Sequence, residues 1–185
     1  CGKGHFVLDI ITRFMCHLGP IIIDEEARYR HIVENCVYFI DISSLNIYIT
    51  RLLIDPDNKY NLNMHTGNSL EELPWNLNIF NGCVMNSPYT TSQEKNSRES
   101  TPLYGIFVNR FAYEIPFCVW IMPQRWFVTG KGLDDFRSEF KQRTDIVSIN
   151  SYMDSKAVFG NHVDIKGGVA IFVRDASYTG ECNFD

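Results

Sequence analysis

The sequence predicts an α/β domain built on a mostly parallel sheet, and two observations lead there. Short apolar runs rich in β-branched and aromatic residues alternate with segments of helical periodicity, the pattern of strand–crossover–strand units. These runs also end on small polar or acidic residues, at Asp41, at Gly67-Asn68-Ser69 and at Asn86-Ser87, and strand ends are where such sheets gather their ligand loops. A chain of 185 residues is long enough for one core and short for two.

The chain opens on Cys1-Gly2-Lys3-Gly4-His5-Phe6, which reads as a loop following a strand that is not present. The sheet is therefore expected to lack its first, central strand and to be left in two halves. After the loop, Phe6, Val7, Ile10, Ile11, Phe14 and Met15 recur at helical spacing until Gly19-Pro20. Asp24 can cap a second helix reaching Asn35. Residues 37–40 read as a buried strand ending at Asp41, and Ser43 or Ser44 can cap a third helix with an apolar stripe of Leu45, Ile49, Leu52 and Leu53, stopped by Pro56. A strand near residues 61–66 and a buried strand over residues 79–85 follow, the latter delivering Asn86-Ser87-Pro88-Tyr89. The polar composition of residues 90–100 marks a loop. Leu103, Phe107, Val108 and Phe111 give the next helix its face, residues 117–122 form a strand, and Leu133, Phe136 and Phe140 a short amphipathic helix. Residues 146–149 and 168–173 are expected to be the last two strands, and residues 180–185 to end without a closing element. The natural polypeptide is expected to continue in both directions.

Composition narrows the function. At 45% hydrophobic residues with no apolar stretch near the roughly eighteen that span a bilayer, and no signal-like start, the chain reads as soluble and cytoplasmic. A net charge of −5 argues against a self-sufficient nucleic-acid binder, because that grip comes largely from Lys and Arg on phosphates. The six cysteines and five histidines are dispersed, without metal-ligand spacing, so no metal is expected.

Three features carry chemistry. Gly2 and Gly4 let backbone pass close to a ligand while the following helix offers its positive end. Asp41 can accept both hydroxyls of a ribose, or it caps the helix behind it; Asn68 can bond an adenine edge, or it closes an ordinary turn. The tetrad Asn86-Ser87-Pro88-Tyr89 can present an amide oxygen, a backbone carbonyl and a flat ring to one planar amine, or it is a Ser-Pro turn with a surface tyrosine. Arg125 and Trp126 can touch DNA or line a target pocket, or be a packed indole beside a salt-bridged guanidinium.

Together with residues 122–127, 130–137 and 164–169, these positions resemble the adenine-specific DNA methyltransferases of restriction-modification systems along essentially the whole chain. The resemblance implies a Rossmann-like class I methyltransferase fold, with residues 1–185 forming an S-adenosylmethionine-dependent catalytic domain. In that family the loop matching Cys1, Gly2, Gly4 and Phe6 holds the methionine part of the cofactor, the acid matching Asp41 its ribose, and the position of Asn68, commonly Asp, its adenine. The tetrad, usually Asn-Pro-Pro-Tyr, holds the target base, here through Asn86, Ser87, Pro88 and Tyr89. The implied partner is double-stranded DNA with the target adenine flipped out, read by a target-recognition domain expected downstream. Transfer to a protein glutamine and a non-catalytic remnant of the same fold are the other readings these residues allow. Ser87 keeps the carbonyl but loosens the backbone that aims it, and Asn68 removes a charge-assisted hydrogen bond.

Overall fold

The computed structural model describes residues 1–89, 102–128 and 133–185. Two compact units divide the chain, Cys1–Pro74 and Trp75–Asp185. Among the described residues each unit has its own sheet, two-stranded in the first and five-stranded in the second.

In the first unit the loop at Gly2 and Gly4 leads into α1 (His5–His17), which buries Val7 and Ile11. Asp24 caps α2 (Glu25–His31) by accepting from the Ala27 N–H at 2.7 Å. A single π turn over Ile32–Cys36, closed by the Val37 N–H on the Ile32 carbonyl at 3.0 Å, then turns the chain into β1 (Tyr38–Asp41). Ser43 caps α3 (Ser44–Ile54), and β2 (Asn63–Thr66) lies parallel to β1 with Asp41 opposite Thr66. Val7, Ile11, Ile32, Val33, Val37, Phe39, Ile47 and Ile54 form the core.

The face of α3 differs from the expected one. Ile47, Thr50 and Ile54 are buried, whereas Leu45, Leu52 and Leu53 are exposed. Counting apolar residues chose the wrong phase because the inner face carries a threonine, and that threonine has work to do at the glycine loop.

The second unit holds β3 (Gly82–Asn86), α4 (Tyr104–Ala112), β4 (Phe117–Pro123), α5 (Asp134–Lys141), β5 (Ile146–Tyr152), α6 (Lys156–Phe159), β6 (Val169–Asp175) and β7 (Asn183–Phe184). Their sheet order is β3-β4-β6-β5-β7, with β6 reversed against both β4 and β5 and the other pairings parallel.

Two expectations need correction here. Ile79 sits in a 3-10 turn (Leu77–Ile79), and among the described residues β3 is an edge strand with Val84 exposed; one face of it is open and the other half-buried, so the strand alternates instead of being buried throughout. β6 is not the last strand, and residues 180–185 do contain a closing element, since β7 pairs with Ser148 and Ile149 and the Ser151 N–H reaches the Asp185 carbonyl at 2.7 Å. Two residues of strand are too few to leave a periodic signal.

Aromatic packing fills this unit. Trp120 stacks on Phe172 with centroids 5.4 Å apart, and Trp126 meets Phe127, Phe136 and Phe140 edge-on at 4.7 to 5.0 Å. At the opposite end of β6, Arg174 is buried yet paired: its Nε donates to Asp145 at 2.5 Å and its Nη1 to the Ile115 carbonyl at 2.7 Å. Arg143 makes two further bonds to Asp145 and lays its guanidinium over Tyr113. Burial works to raise the Asp145 carboxyl, but the bonds and charges of Arg143 and Arg174 outweigh it and hold it below the usual range.

Candidate functional site

In the first unit the Asp41 carboxylate gathers Cys1 and Gly2, and the Gly4 N–H donates to the Cys1 carbonyl at 3.2 Å. Gly2 and Gly4 both have positive φ, 57° and 90°, which suits residues without a Cβ. Asp41 Oδ2 accepts from the Gly2 N–H at 2.8 Å and the Cys1 nitrogen at 3.1 Å. Oδ1 accepts from the Ser43 N–H at 2.9 Å and the Asn46 amide at 3.1 Å. Burial again pushes the carboxyl up, while the bonds from Ser43, Gly2 and Asn46 outweigh it and hold Asp41 below its ordinary range. A carboxylate offers about four acceptor sites, and Asp41 uses all of them, with its side chain 14% exposed. It ties the glycine loop to the end of β1 and to the start of α3; the helix cap itself belongs to Ser43.

At the same loop α1 begins without a side-chain cap and without an acid in its first turn. Its free N–H groups and positive end suit a carboxylate or phosphate. A Cβ placed on Gly2 would meet nothing within 4 Å, so this part of the loop is open. Phe6 is exposed on the first helical turn. Asn68 lies one residue past the Gly67 that follows β2, but its amide is turned inward on its own loop: Oδ1 accepts from the Leu70 N–H at 3.1 Å and Nδ2 donates to Glu71 at 3.2 Å.

In the second unit the tetrad occupies the carboxyl end of β3. Asn86 is its last residue, opposite Ile121 of β4, and its side chain is exposed. Ser87 is buried, Pro88 exposed and Tyr89 half-buried, with the Tyr89 carbonyl accepting from the Leu103 N–H at 3.2 Å. Among the described residues the buried Tyr89 hydroxyl has no hydrogen-bond partner, and burial pushes its pKa up to about 12, which keeps it a neutral donor.

The carboxyl end of β4 resolves the two readings of Arg125 and Trp126. Trp126 is 2% exposed in the aromatic cluster, so its reading as a packed indole holds, while Arg125 is exposed. Its stem lies across Gly167, where a Cβ would come within 2.6 Å of Arg125 Cγ. Buried Gln124 accepts from Ser151 Oγ at 2.6 Å and fixes the same strand end. Sequence reasoning missed Asn46 and Thr50; the spacing Ile47, Thr50, Ile54, which puts a polar residue on a core face, was the available signal. Residues 90–100, expected as a loop, and residues 130–132 of the resemblance lie outside the described residues. Among the described residues no helix is long and apolar enough to cross a membrane.

The fold is that of the class I methyltransferases. It is similar over 98% of the chain to the EcoKI M protein of a type I restriction enzyme, at TM-score 0.66 and 12% identity, covering 41% of that protein. A nuclease-deletion form of the Type ISP enzyme LlaGI, solved with a DNA substrate mimic, matches the whole chain at TM-score 0.67 and 12% identity over 21% of its length. The chain belongs to the Eco57I restriction-modification methylase family, whose model matches residues 35–159, more than half of it, and that span contains Asp41, Asn68, the tetrad and Arg125. A Mycoplasma pneumoniae protein described as an uncharacterized adenine-specific methylase is 27% identical over 106 residues, 55% of this chain. The chain spans about a quarter of that relative, 25%.

Proposed function

We propose that the chain is the catalytic part of a DNA methyltransferase that moves a methyl group from S-adenosylmethionine to the exocyclic amine of an adenine flipped out of double-stranded DNA. The observation that carries this reading is the tetrad at the carboxyl end of a parallel strand, within the span that matches the methylase family. An aromatic amine is a weak nucleophile because its lone pair is shared with the ring. The Asn86 side-chain oxygen and the Ser87 carbonyl accept its two hydrogens, which draws the nitrogen towards tetrahedral geometry and frees the lone pair. Pro88 holds the turn, and the Tyr89 ring stacks on the base, a contact worth roughly 1–3 kcal/mol. Flipping is required because a paired base cannot reach such a group.

The first unit supplies the cofactor cradle. The uncapped start of α1 suits the methionine carboxylate, and the Gly2 region leaves room for it. When bound, S-adenosylmethionine supplies an electrophilic methyl on a sulfonium. Asp41 meets the ribose hydroxyls by exchanging them for the N–H groups it holds at Cys1 and Gly2, and Asn68 meets the adenine by releasing Leu70 or Glu71. A target-recognition domain elsewhere in the polypeptide supplies the basic surface that a net charge of −5 lacks, and Arg125 faces the DNA strand beside the tetrad. The protein works in the cytoplasm of a bacterium or a phage-infected cell.

The test offers duplex DNA and a glutamine peptide to the enzyme with labelled cofactor, its flanking segments included. Methyl transfer to adenine is expected. Asn86→Ala should lower it by about 10²–10³-fold, the usual cost of one preorganised transition-state partner. Ser87→Pro should retain or raise it, since only the carbonyl and backbone angle at residue 87 matter. Cofactor binding without methylation of either substrate would point instead to a remnant of the fold.

A further inference from the structure

We infer that Thr50 is a positioning residue for the cofactor loop, setting the height of Gly4 and the direction of the Gly2 carbonyl; this rests on the methyltransferase reading above. Thr50 lies in the middle of α3 and is 0% exposed. A threonine inside a helix ordinarily satisfies its hydroxyl on the carbonyl four residues back. Thr50 Oγ1 instead donates across to the Gly2 carbonyl at 3.4 Å, with the Cys1 sulfur 3.7 Å away.

Its bulk is used as well as its hydroxyl. A Cβ on Gly4 would lie 3.1 Å from Thr50 Oγ1 and 3.2 Å from Cγ2, so Gly4 rests directly on this side chain. One turn earlier on the same helix face, Asn46 donates to Asp41. A single face of α3 thus fixes both the carboxylate and the loop that the carboxylate holds. The space beyond Gly2 is open, so these contacts support the loop from one side only. Threonine suits the position because its χ1 is stiff and both branches have a defined contact.

The experiment measures three quantities on the full chain: S-adenosylmethionine affinity by titration, melting temperature, and amide exchange at Gly2 and Gly4 without ligand. Thr50→Val keeps the shape and removes the hydroxyl. It should weaken cofactor binding about five- to tenfold, the cost of losing the hydroxyl that directs the Gly2 carbonyl. Loop exchange should rise by a similar factor of about five, while the melting temperature moves by no more than about 2 °C. Thr50→Ser restores the hydroxyl and should bind within about twofold of wild type. Wild-type affinity and wild-type loop exchange in Thr50→Val would overturn the assignment. So would a Thr50→Ser chain that binds the cofactor about fivefold or more weakly than wild type, which also decides the matter if the valine variant fails to fold. A wild-type chain that binds no cofactor would sink the methyltransferase reading itself, a result separable from either of these.

Discussion

The two units hold their functional groups in different ways. Around Asp41 the geometry is made of hydrogen bonds to backbone: one carboxylate gathers Gly2, Ser43, Asn46 and the Cys1 nitrogen, with only Thr50 packed beneath the loop. Beyond the tetrad the geometry is made of rings, with Trp120, Trp126, Phe136, Phe140 and Phe172 in mutual contact next to the strand that pairs with β3. A polar clamp can trade its partners for those of a ligand at small cost, whereas an aromatic cluster cannot move without opening a cavity. On the proposed function, the Asp41 region is thus built to exchange contacts and the tetrad region to keep a strand end still.

This contrast can be broken from its strong end downward. Trp126→Ala should cost about 3–5 kcal/mol of stability, as truncating a fully packed indole does, read by denaturant unfolding. A loss below that of Asp41→Asn would show that the cluster is not what holds the second unit.

The Asp145 network comes next. Its carboxyl is lowered in the folded state, so the stabilisation it gives is complete above the ordinary aspartate range, near 3.9, and is lost as pH falls through the lowered value. Asp145→Asn should therefore destabilise the chain by about 2–3 kcal/mol at neutral pH, and the gap to wild type should close in acid. A gap that stays constant down to about pH 2 would mean that the charge on Asp145 does not matter.

Asp41→Asn is the smallest perturbation of the fold, about 1–2 kcal/mol, because its donors can turn to water at this partly open site. Its larger effect should fall on S-adenosylmethionine affinity, reduced by about tenfold. Lost stability with unchanged affinity would leave Asp41 as an organiser of the loop and nothing more.

Much of this was legible in the sequence, and what was not has physical causes. The glycine loop, the helix after it, the acid at the end of β1 and the tetrad at the end of β3 all announce themselves through turn chemistry and strand ends, which are local. The phase of α3 is not local: its three leucines equal its three buried residues in number, and the glycine loop against Thr50 and the core around Ile47 and Ile54 decide which side turns in. Arg125 and Trp126 were equally ambiguous until Phe136, Phe140 and Phe172, distant in sequence, were seen to enclose the indole. The in-loop bonds of Asn68 and the saturation of Asp41 depend likewise on atoms that no spacing rule reports.

The reversed strand β6 has a bearing on how the chain acquires its structure during synthesis. It lies between β4 and β5 in the sheet yet follows both in sequence. Until residues 169–175 emerge, β4 and β5 have no ladder to share, and Trp120 lacks the Phe172 ring on which it stacks. The second unit therefore cannot close progressively from its amino-terminal side; its sheet waits for one late insertion between β4, which can already pair with β3, and β5, whose partners β6 and β7 both follow it, the kind of non-local step that slows folding. Indole fluorescence should report that insertion directly, as a late change in the emission of Trp120 and Trp126 after helical signal has already appeared.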